Sequence, residues 1–197
     1  STIQNSNFID GKWSSNGEAF DSINPSNTSD CVGTFSAATS NDCKLAIQSA
    51  KNAFQNWSFS SLEERKKILD YIGNELINKS PELGEIIARE EGKPLAEGIG
   101  EVYRSGQFFQ YFGAEVLRQM GELSASVRPN INVEVTREPL GVIGVITPWN
   151  FPIAVAAWKI APALAYGNCV ILKPSEIVPA SAVAFAEIME KSGLPKG

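Results

Sequence analysis

The sequence predicts an α/β fold in which a parallel sheet begins near residue 139. Three observations support it: short apolar pieces between turn signals up to residue 36, helical periodicity from residue 40 to 121, and alternating strand and helix signals after residue 139. A β-α-β-α order requires parallel strands joined by right-handed crossovers. Sheets of this Rossmann-like type bind nucleotides at the carboxyl ends of their strands. We therefore expect a nucleotide-binding core preceded by a small β element and a helical region.

The first 120 residues are predicted to form that β element and four helices. Asp-Gly and Asn-Pro-Ser turn signals separate the apolar pieces of residues 1 to 36, as in a small antiparallel sheet. Ser60 with Glu63 is a capping-box signature, and Ser80 followed by Pro81 is a strong helix start. The fourth helix is expected over residues 95 to 120.

The remaining residues are predicted to alternate strands and helices. Ile131, Val133 and Val135 alternate with polar residues, which predicts a half-exposed strand, whereas the apolar run of residues 140 to 146 predicts a buried one. A helix, a buried strand and a second helix should follow, over residues 152–166, 169–173 and 179–192. The sequence then stops where a further strand is expected, so we read it as a fragment whose sheet needs strands from missing sequence or another chain.

Composition excludes several classes of protein. The chain has 17 basic and 22 acidic side chains and a net charge of −5, which argues against a nucleic-acid partner. Three scattered cysteines and no histidine predict neither a metal site nor a disulfide framework. We expect a cytoplasmic location, since the first twenty residues show no signal-peptide pattern. The uncharged residues 141–158 could span a membrane by length, but prolines 148 and 152 interrupt them, so we expect no membrane partner.

The first candidate site is the segment Ile146 to Pro152, which lies where a buried strand is predicted to end and a helix to begin. The side-chain amide of Asn150 could donate a hydrogen bond to a developing oxyanion without any proton transfer. A purely structural interpretation stays open, in which Asn150 caps the helix, Pro152 takes an early helical position and Trp149 packs.

The second candidate site is Lys173-Pro174-Ser175-Glu176, at the end of the following strand. An acidic residue there could accept hydrogen bonds from the hydroxyls of an adenosine ribose, with Lys173 as a neighbouring donor. The alternative is a solvated turn with a salt bridge. A glycine-rich phosphate loop is missing, because Gly141 and Gly144 lie inside the predicted strand.

Several segments spread along the chain form a characteristic set of motifs. They are EPLGVIGVITPWNFP at 138–152, AWKIAPALA at 157–165, Gly167-Asn168, KPSE at 173–176, FIDGKW at 8–13, Asn24-Pro25 and EGKP at 91–94. Together these segments resemble the NAD(P)-dependent aldehyde dehydrogenases. The resemblance covers the whole chain and includes the family's way of holding a dinucleotide without a glycine-rich loop.

The resemblance implies that a cysteine thiolate attacks an aldehyde, that a hydride passes to the nicotinamide, and that water activated by a glutamate releases the acid. Within this chain it implies that Asn150 is the catalytic oxyanion donor. The implied cofactor-binding residues are Ile146, Thr147, Pro148, Trp149, Lys173, Pro174, Ser175 and Glu176, with Lys173 and Glu176 on the adenosine ribose. Phe151 and Trp158 would line the aldehyde tunnel, and Lys159 would be partly buried with a structural or electrostatic role.

The family's nucleophilic cysteine and base glutamate are absent from this sequence, so less than half of the enzyme is expected here. Cys169 falls in an apolar strand, where a thiol stays protonated, and Cys31 and Cys43 fall in the N-terminal turn region and at a helix start. A helix start can lower the pKa of a thiol, so Cys43 is the one to test. The chain alone is expected not to oxidise aldehydes.

Cofactor and substrate follow from single positions. Glu176 would accept bonds from both ribose hydroxyls and repel a 2′-phosphate, which predicts NAD rather than NADP. Members that oxidise succinate semialdehyde commonly carry Arg where this chain has Trp158. The absence of this arginine favours another aldehyde, whether aliphatic, aromatic or a longer semialdehyde such as that of 2-oxoglutarate.

The resemblance also divides the chain. Residues 1–120 would be the N-terminal β element and helices of the NAD-binding domain, residues 121–138 a strand segment of the oligomerisation domain, and residues 139–197 the start of the dinucleotide-binding core. The catalytic domain would be absent. A homodimer or homotetramer is expected of the full-length enzyme. The alternative is a non-catalytic module that binds a nucleotide or mediates oligomerisation.

Overall fold

The computed structural model describes residues 2–118 and 121–197 as a mixture of helices and small sheets. The α/β prediction, with a parallel strand pair, is confirmed. The elements in chain order are β1 Asn7–Ile9, β2 Lys12–Ser14, β3 Ala19–Ile23, β4 Cys31–Ser36, α1 Ser40–Trp57, α2 Leu62–Asn78, α3 Ser80–Glu91, α4 Leu95–Glu115, a 3-10 turn Val116–Arg118, β5 Glu122–Ala125, β6 Asn132–Val135, β7 Val142–Ile146, α5 Ala154–Ala165, β8 Cys169–Lys173 and α6 Pro179–Lys191.

The N-terminal β element consists of two antiparallel pairs, β1 with β2 and β3 with β4. Asp10 and Gly11, which join β1 to β2, have φ angles of 52° and 74°. Two consecutive positive φ values match the right-handed twist of a tight hairpin, and Asp-Gly adopts them readily. The turn signals of the sequence therefore predicted this region correctly.

Helices α2, α3 and α4 form a layer whose apolar faces make up much of the core. Leu69, Ile72, Leu76, Ile87 and Phe109 are fully buried within it. Helix α4 contacts both neighbours through glycines. A Cβ added at Gly106 would lie 2.6 Å from the Gly73 carbonyl oxygen, and one added at Gly98 would lie 2.5 Å from the Gly84 carbonyl oxygen. The absence of side chains at these crossings lets the helix backbones touch.

Helix boundaries were predicted to within a few residues, with one incorrect cap. The Ser61 side chain, not that of Ser60, accepts a hydrogen bond from the Glu64 amide and caps α2. Ser60 instead donates its hydroxyl to the Trp57 carbonyl and accepts from Arg65 Nε. The predicted end of the fourth helix at residue 120 lies outside the described residues.

Strands β5 and β6 form an antiparallel hairpin that is exposed along its whole length. Its large apolar side chains point away from any core, as Leu123 and Val127 are 82% and 102% exposed. Val133 and Val135 of β6 are 43% and 48% exposed, consistent with the predicted half-exposed strand.

Strands β7 and β8 form the parallel pair, with Val142 opposite Cys169 and Ile146 opposite Lys173. The prediction that residues 140–146 are buried is wrong for this chain, since only Val145 is buried and Leu140 is 90% exposed. The physical reason is that this sheet has two strands within the described residues, so an apolar run suited to an interior strand keeps an uncovered side. Among the described residues, every helix is too short or too polar to cross a bilayer.

The close contact of α4 with α2 generates a stability prediction. Replacing Gly106 with Ala should destabilise the protein by about 1–3 kcal/mol, because the added methyl group collides with the Gly73 carbonyl and the two helices must separate. Gly100→Ala is the matched control on the same helix, where an added Cβ has nothing within 4 Å, and it should stabilise by up to ~1 kcal/mol. Urea unfolding of both variants measures the difference. Equal effects of the two substitutions would contradict the close contact.

Candidate functional site

The carboxyl ends of β7 and β8 bring the two predicted site segments together. Ile146 and Lys173, the last residues of the two strands, are register partners. The Thr147 amide continues the pairing by donating to the Lys173 carbonyl over 3.3 Å. The segment of residues 146–152 and the segment of residues 173–176 therefore leave the same edge of the sheet side by side.

The first segment is mostly exposed, with only Thr147 and Pro152 buried. Ile146 is 75% exposed, while Trp149 and Phe151 are each about half exposed. Thr147 is buried, and its hydroxyl Oγ1 has no hydrogen-bond partner within the described residues. A buried hydroxyl without a partner is unusual, so this edge has polar capacity that the described part of the chain does not use.

Asn150 is exposed, and its side chain does not cap the following helix. The structural alternative considered from the sequence is therefore wrong in this respect. Helix α5 begins at Ala154 with Ile153 as its N-cap, two residues later than predicted. The side-chain amide of Asn150 makes no hydrogen bond with the described residues, so it is free to donate to a ligand. Pro152 is buried just before the helix.

A buried ion pair takes the place of the expected cap. The Glu101 carboxylate, from α4, accepts from the Ile153 amide at 2.9 Å and from the Ala154 amide at 3.2 Å. Its other oxygen accepts from Lys93 Nζ at 2.7 Å. Lys93 also donates to the Asn150 carbonyl at 2.8 Å and lies 4.0 Å from the centre of the Phe151 ring. This pair thus holds both ends of the turn that carries Asn150.

The second segment forms a solvated turn with a salt bridge, as the structural alternative proposed. Lys173 Nζ lies 3.8 Å from Glu176 Oε2, and the two side chains are 61% and 78% exposed. Ser175 is buried and accepts a bond from the Ile177 amide, while Pro174 is half-buried. The turn keeps an acidic and a basic group in solvent at the sheet edge, where they could also meet a ligand.

Trp158 and Phe151 lie in different surroundings. Trp158, on α5, packs against Phe108 of α4 with ring centres 5.5 Å apart and ring planes tilted by 57°. It lines an open groove of about 570 Å³ together with Arg104, Gln107, Phe108, Tyr111 and Phe112. Phe151 is not among the residues that line this groove. Lys159 is exposed, so the expectation that it is partly buried is wrong. It lies on the exposed side of α5, away from the buried residues Ala156, Ala157 and Ile160.

Sequence reasoning missed Glu101 and gave Lys93 no role. Glu101 lies 52 residues before its partner Ile153, so no local pattern connects them. One signal was available: Glu101 shares a helix face with Gly98, Val102, Ser105 and Phe109, all buried. An ionisable side chain on an apolar face predicts a buried partner.

The three cysteines all lie outside the two segments of the sheet edge. Cys169 is buried in β8, and desolvation raises the pKa of its thiol to about 11. Cys31 opens β4 and Cys43 lies in the first turn of α1; both are exposed. Within the described residues no three His, Cys, Asp or Glu side chains could hold a metal ion.

Comparison with known proteins gives one consistent result. The model of the Aldehyde dehydrogenase family matches residues 13–197. An alpha-ketoglutarate semialdehyde dehydrogenase of Haloferax volcanii is 39% identical over 100% of this chain and 41% of its own length.

Two solved structures have nearly the same fold. A betaine aldehyde dehydrogenase of Staphylococcus aureus in complex with NAD+ matches with a TM-score of 0.93 and 35% identity over 98% of this chain and 39% of its own. An E. coli NADP dependent enzyme matches with a TM-score of 0.94 and 34% identity over 98% of this chain and 40% of its own. The chain thus spans about two-fifths of these relatives. From its fold, its sheet-edge segments and these matches, the chain belongs to the aldehyde dehydrogenase family.

Proposed function

We propose that this chain supplies the NAD-binding edge and the oxyanion donor of an enzyme that oxidises an aldehyde to a carboxylic acid. The observation that supports it best is the pairing of Ile146 with Lys173, which sets a free Asn150 amide beside an exposed acid and base at one sheet edge. Ligands of parallel sheets bind at this edge.

The residues at the edge have the chemistry that NAD requires. Glu176 offers a solvated carboxylate that can accept from two ribose hydroxyls, and Lys173 offers a donor. Ile146 presents an apolar side chain in solvent, and the unpaired Thr147 hydroxyl can bond a polar group. Pro148, Trp149, Pro174 and Ser175 complete the proposed cofactor-binding segments. When bound, NAD supplies the hydride acceptor.

Asn150 would act by electrostatics alone. Its amide N–H is aimed by the turn rather than by a hydrogen bond of its own, so it can meet negative charge as this develops on the aldehyde oxygen. An amide donor stays neutral throughout and needs no proton transfer. Because Cys169 is buried with a raised thiol pKa, and Cys31 and Cys43 lie on β4 and α1 rather than at the sheet edge, we propose that the family's nucleophilic cysteine and base glutamate come from outside these 197 residues, and that this chain alone is inactive.

The groove beside Trp158 suggests the class of aldehyde. Aromatic side chains line it, and Arg104 adds one positive charge, whose only hydrogen bond within the described residues goes to Gln107 at 3.2 Å. An apolar channel with a guanidinium suits an aldehyde that carries a distant carboxylate. The name of the Haloferax relative contains such a substrate, a semialdehyde. We propose an ω-carboxylate aldehyde, with Phe151 and Trp158 as apolar contacts.

The hairpin of residues 121–138 would serve assembly. Its apolar side chains are exposed and its β6 edge is unpaired within the described residues. Exposed apolar strands of this kind mark sites of association. We propose that it joins a homodimer or homotetramer, while residues 1–120 and 139–197 form the start of the NAD-binding domain. A cytoplasmic location stays a prediction from the sequence.

Replacing Asn150 tests the proposed chemistry. In the full-length gene product, Asn150→Ala and Asn150→Asp should each lower kcat for aldehyde oxidation by roughly 10²–10³, because neither side chain can donate to the oxyanion. Asn56→Ala, on the exposed face of α1, is the control and should leave kcat unchanged. NADH formation at 340 nm with a panel of aldehydes is the measurement. If the wild-type protein binds NAD but oxidises no aldehyde, the non-catalytic binding module is favoured instead.

The charge of Glu176 should determine the choice of cofactor. We expect NAD to bind about tenfold more tightly than NADP, because the carboxylate repels a 2′-phosphate, and Glu176→Gln should bring the two affinities together. Glu187→Gln removes one negative charge from an exposed position on α6 and should not change the ratio of the NAD and NADP affinities. Calorimetry at low and high salt checks this. Tighter binding of NADP by the wild-type protein would refute the assignment.

The role of Arg104 can be tested with pairs of substrates. Arg104→Met should lower kcat/KM about 10- to 100-fold for an aldehyde with a terminal carboxylate, since a charged hydrogen bond contributes about 1.5–3 kcal/mol. A neutral aldehyde of equal length is the internal control and should be oxidised by the variant at least as well as by the wild type. A parallel loss for both substrates would mean that Arg104 supports the fold and not carboxylate recognition.

A further inference from the structure

Two buried carboxylates of the helical layer replace the missing caps of α5 and α6. Neither helix has a side-chain cap of its own, although the first amides of any helix need acceptors. Glu101 accepts from the Ile153 and Ala154 amides at the start of α5. Glu90 accepts from the Ala180 amide at 2.7 Å and the Ser181 amide at 2.8 Å at the start of α6.

The two carboxylates differ in what else they hold. Glu90 is also bound by the hydroxyls of Ser22 and Ser181, which are neutral donors. Glu101 is paired with a cation, Lys93, and both side chains are almost completely buried, at 1% and 8% exposure. Lys93 extends the contact beyond the helix start, because the same ammonium group donates to the Asn150 carbonyl.

The backbone of the Asn150 turn is thus held at two points by one ion pair. The Asn150 carbonyl is fixed by Lys93, and the amides three and four residues later are fixed by Glu101. Charge-assisted bonds of this kind are short and strong, and burial of the two side chains shields their ion pair from water, while the Lys93–Asn150 bond lies at the surface. The turn has no other side-chain hydrogen bond within the described residues that fixes its orientation.

We propose that Lys93 and Glu101 are positioning residues, which aim the Asn150 amide at the reacting oxygen. This inference rests on the proposed function. Neither residue needs to touch the substrate. Loss of Lys93 leaves the Glu101 carboxylate buried without a cation, and loss of the Glu101 charge leaves Lys93 with only Glu91, whose Oε2 lies 4.0 Å away, so the turn should shift or take up water. An error of about 1 Å in the position of a catalytic group can lower a rate about 10²-fold.

The kinetic test uses variants of the full-length gene product. Glu101→Gln and Lys93→Met should lower kcat roughly 10- to 100-fold with KM for NAD nearly unchanged, and Lys93→Arg, which keeps the charge, should recover part of the rate. Glu90→Gln removes the other buried carboxylate, which holds the start of the helix that follows the Lys173–Glu176 turn, and should instead raise KM for NAD about three- to tenfold with kcat nearly unchanged. Asp70→Asn, which breaks the ion pair with Lys66 within α2, should change neither constant.

A double-mutant cycle separates positioning from general damage. If Glu101 acts through Asn150, Glu101→Gln should cost much less in an Asn150→Ala background than in the wild type. Additive losses would overturn the proposal, as would equal kcat losses in Glu101→Gln and Glu90→Gln.

A second readout does not need activity. Hydrogen exchange of the Ile153 and Ala154 amides, which donate to Glu101, should accelerate in Glu101→Gln and stay at the wild-type rate in Glu90→Gln, which should instead accelerate the Ala180 and Ser181 amides. Unchanged exchange at Ile153 and Ala154 would refute the positioning role. If the wild-type protein oxidises no aldehyde but the exchange result holds, then the proposed function fails while the anchoring of the turn stands.

Discussion

The candidate site depends on the capping of two helices by carboxylates that come from another layer of the protein. Helices α5 and α6 follow the two parallel strands, and their first turns continue from the segments that carry Asn150 and Glu176. Ordinary N-caps would fix each helix only to its own loop. Glu101 and Glu90 instead fix each helix start to α4 and α3, so both segments of the site take their positions from one rigid helical layer.

Burial of these two carboxylates costs free energy of desolvation. Desolvation raises the pKa of Glu90 above its usual range, and the bonds from Ser181, Ala180 and Ser22 counteract that shift in favour of the charged form. Glu101 is stabilised differently, by a buried ammonium group. Both carboxylates extend from α3 and α4 to the starts of α5 and α6. Their positions are fixed only if the layer of α2, α3 and α4 is closely packed. The glycine contacts between α4 and its neighbours provide this close packing, since backbones that touch leave little freedom for α4 to shift.

The sequence predicted the local elements well and the long-range polar contacts poorly. Ser80-Pro81 located the start of α3, and the Asp-Gly turn located the β1–β2 hairpin, because these signals are local. The capping box was misplaced by one residue because Ser60 and Ser61 each precede a glutamate by three positions. The burial of residues 140–146 and of Lys159 was wrong because burial depends on neighbours that no local pattern specifies. Glu101 was missed for the same reason.

The geometry of α4 and α5 also connects the two halves of the proposed chemistry. Glu101, on the buried side of α4, holds the start of α5 and the turn of Asn150. Arg104 follows one turn later on α4 and lines the groove with Trp158, which lies one turn into α5. The turn of the proposed oxyanion donor and the groove proposed for the rest of the aldehyde are therefore both held by the same pair of helices. A substrate whose carboxylate lies near Arg104 would have its reactive end placed by the same contacts that aim Asn150, so selectivity for chain length and catalytic positioning would share one structural origin.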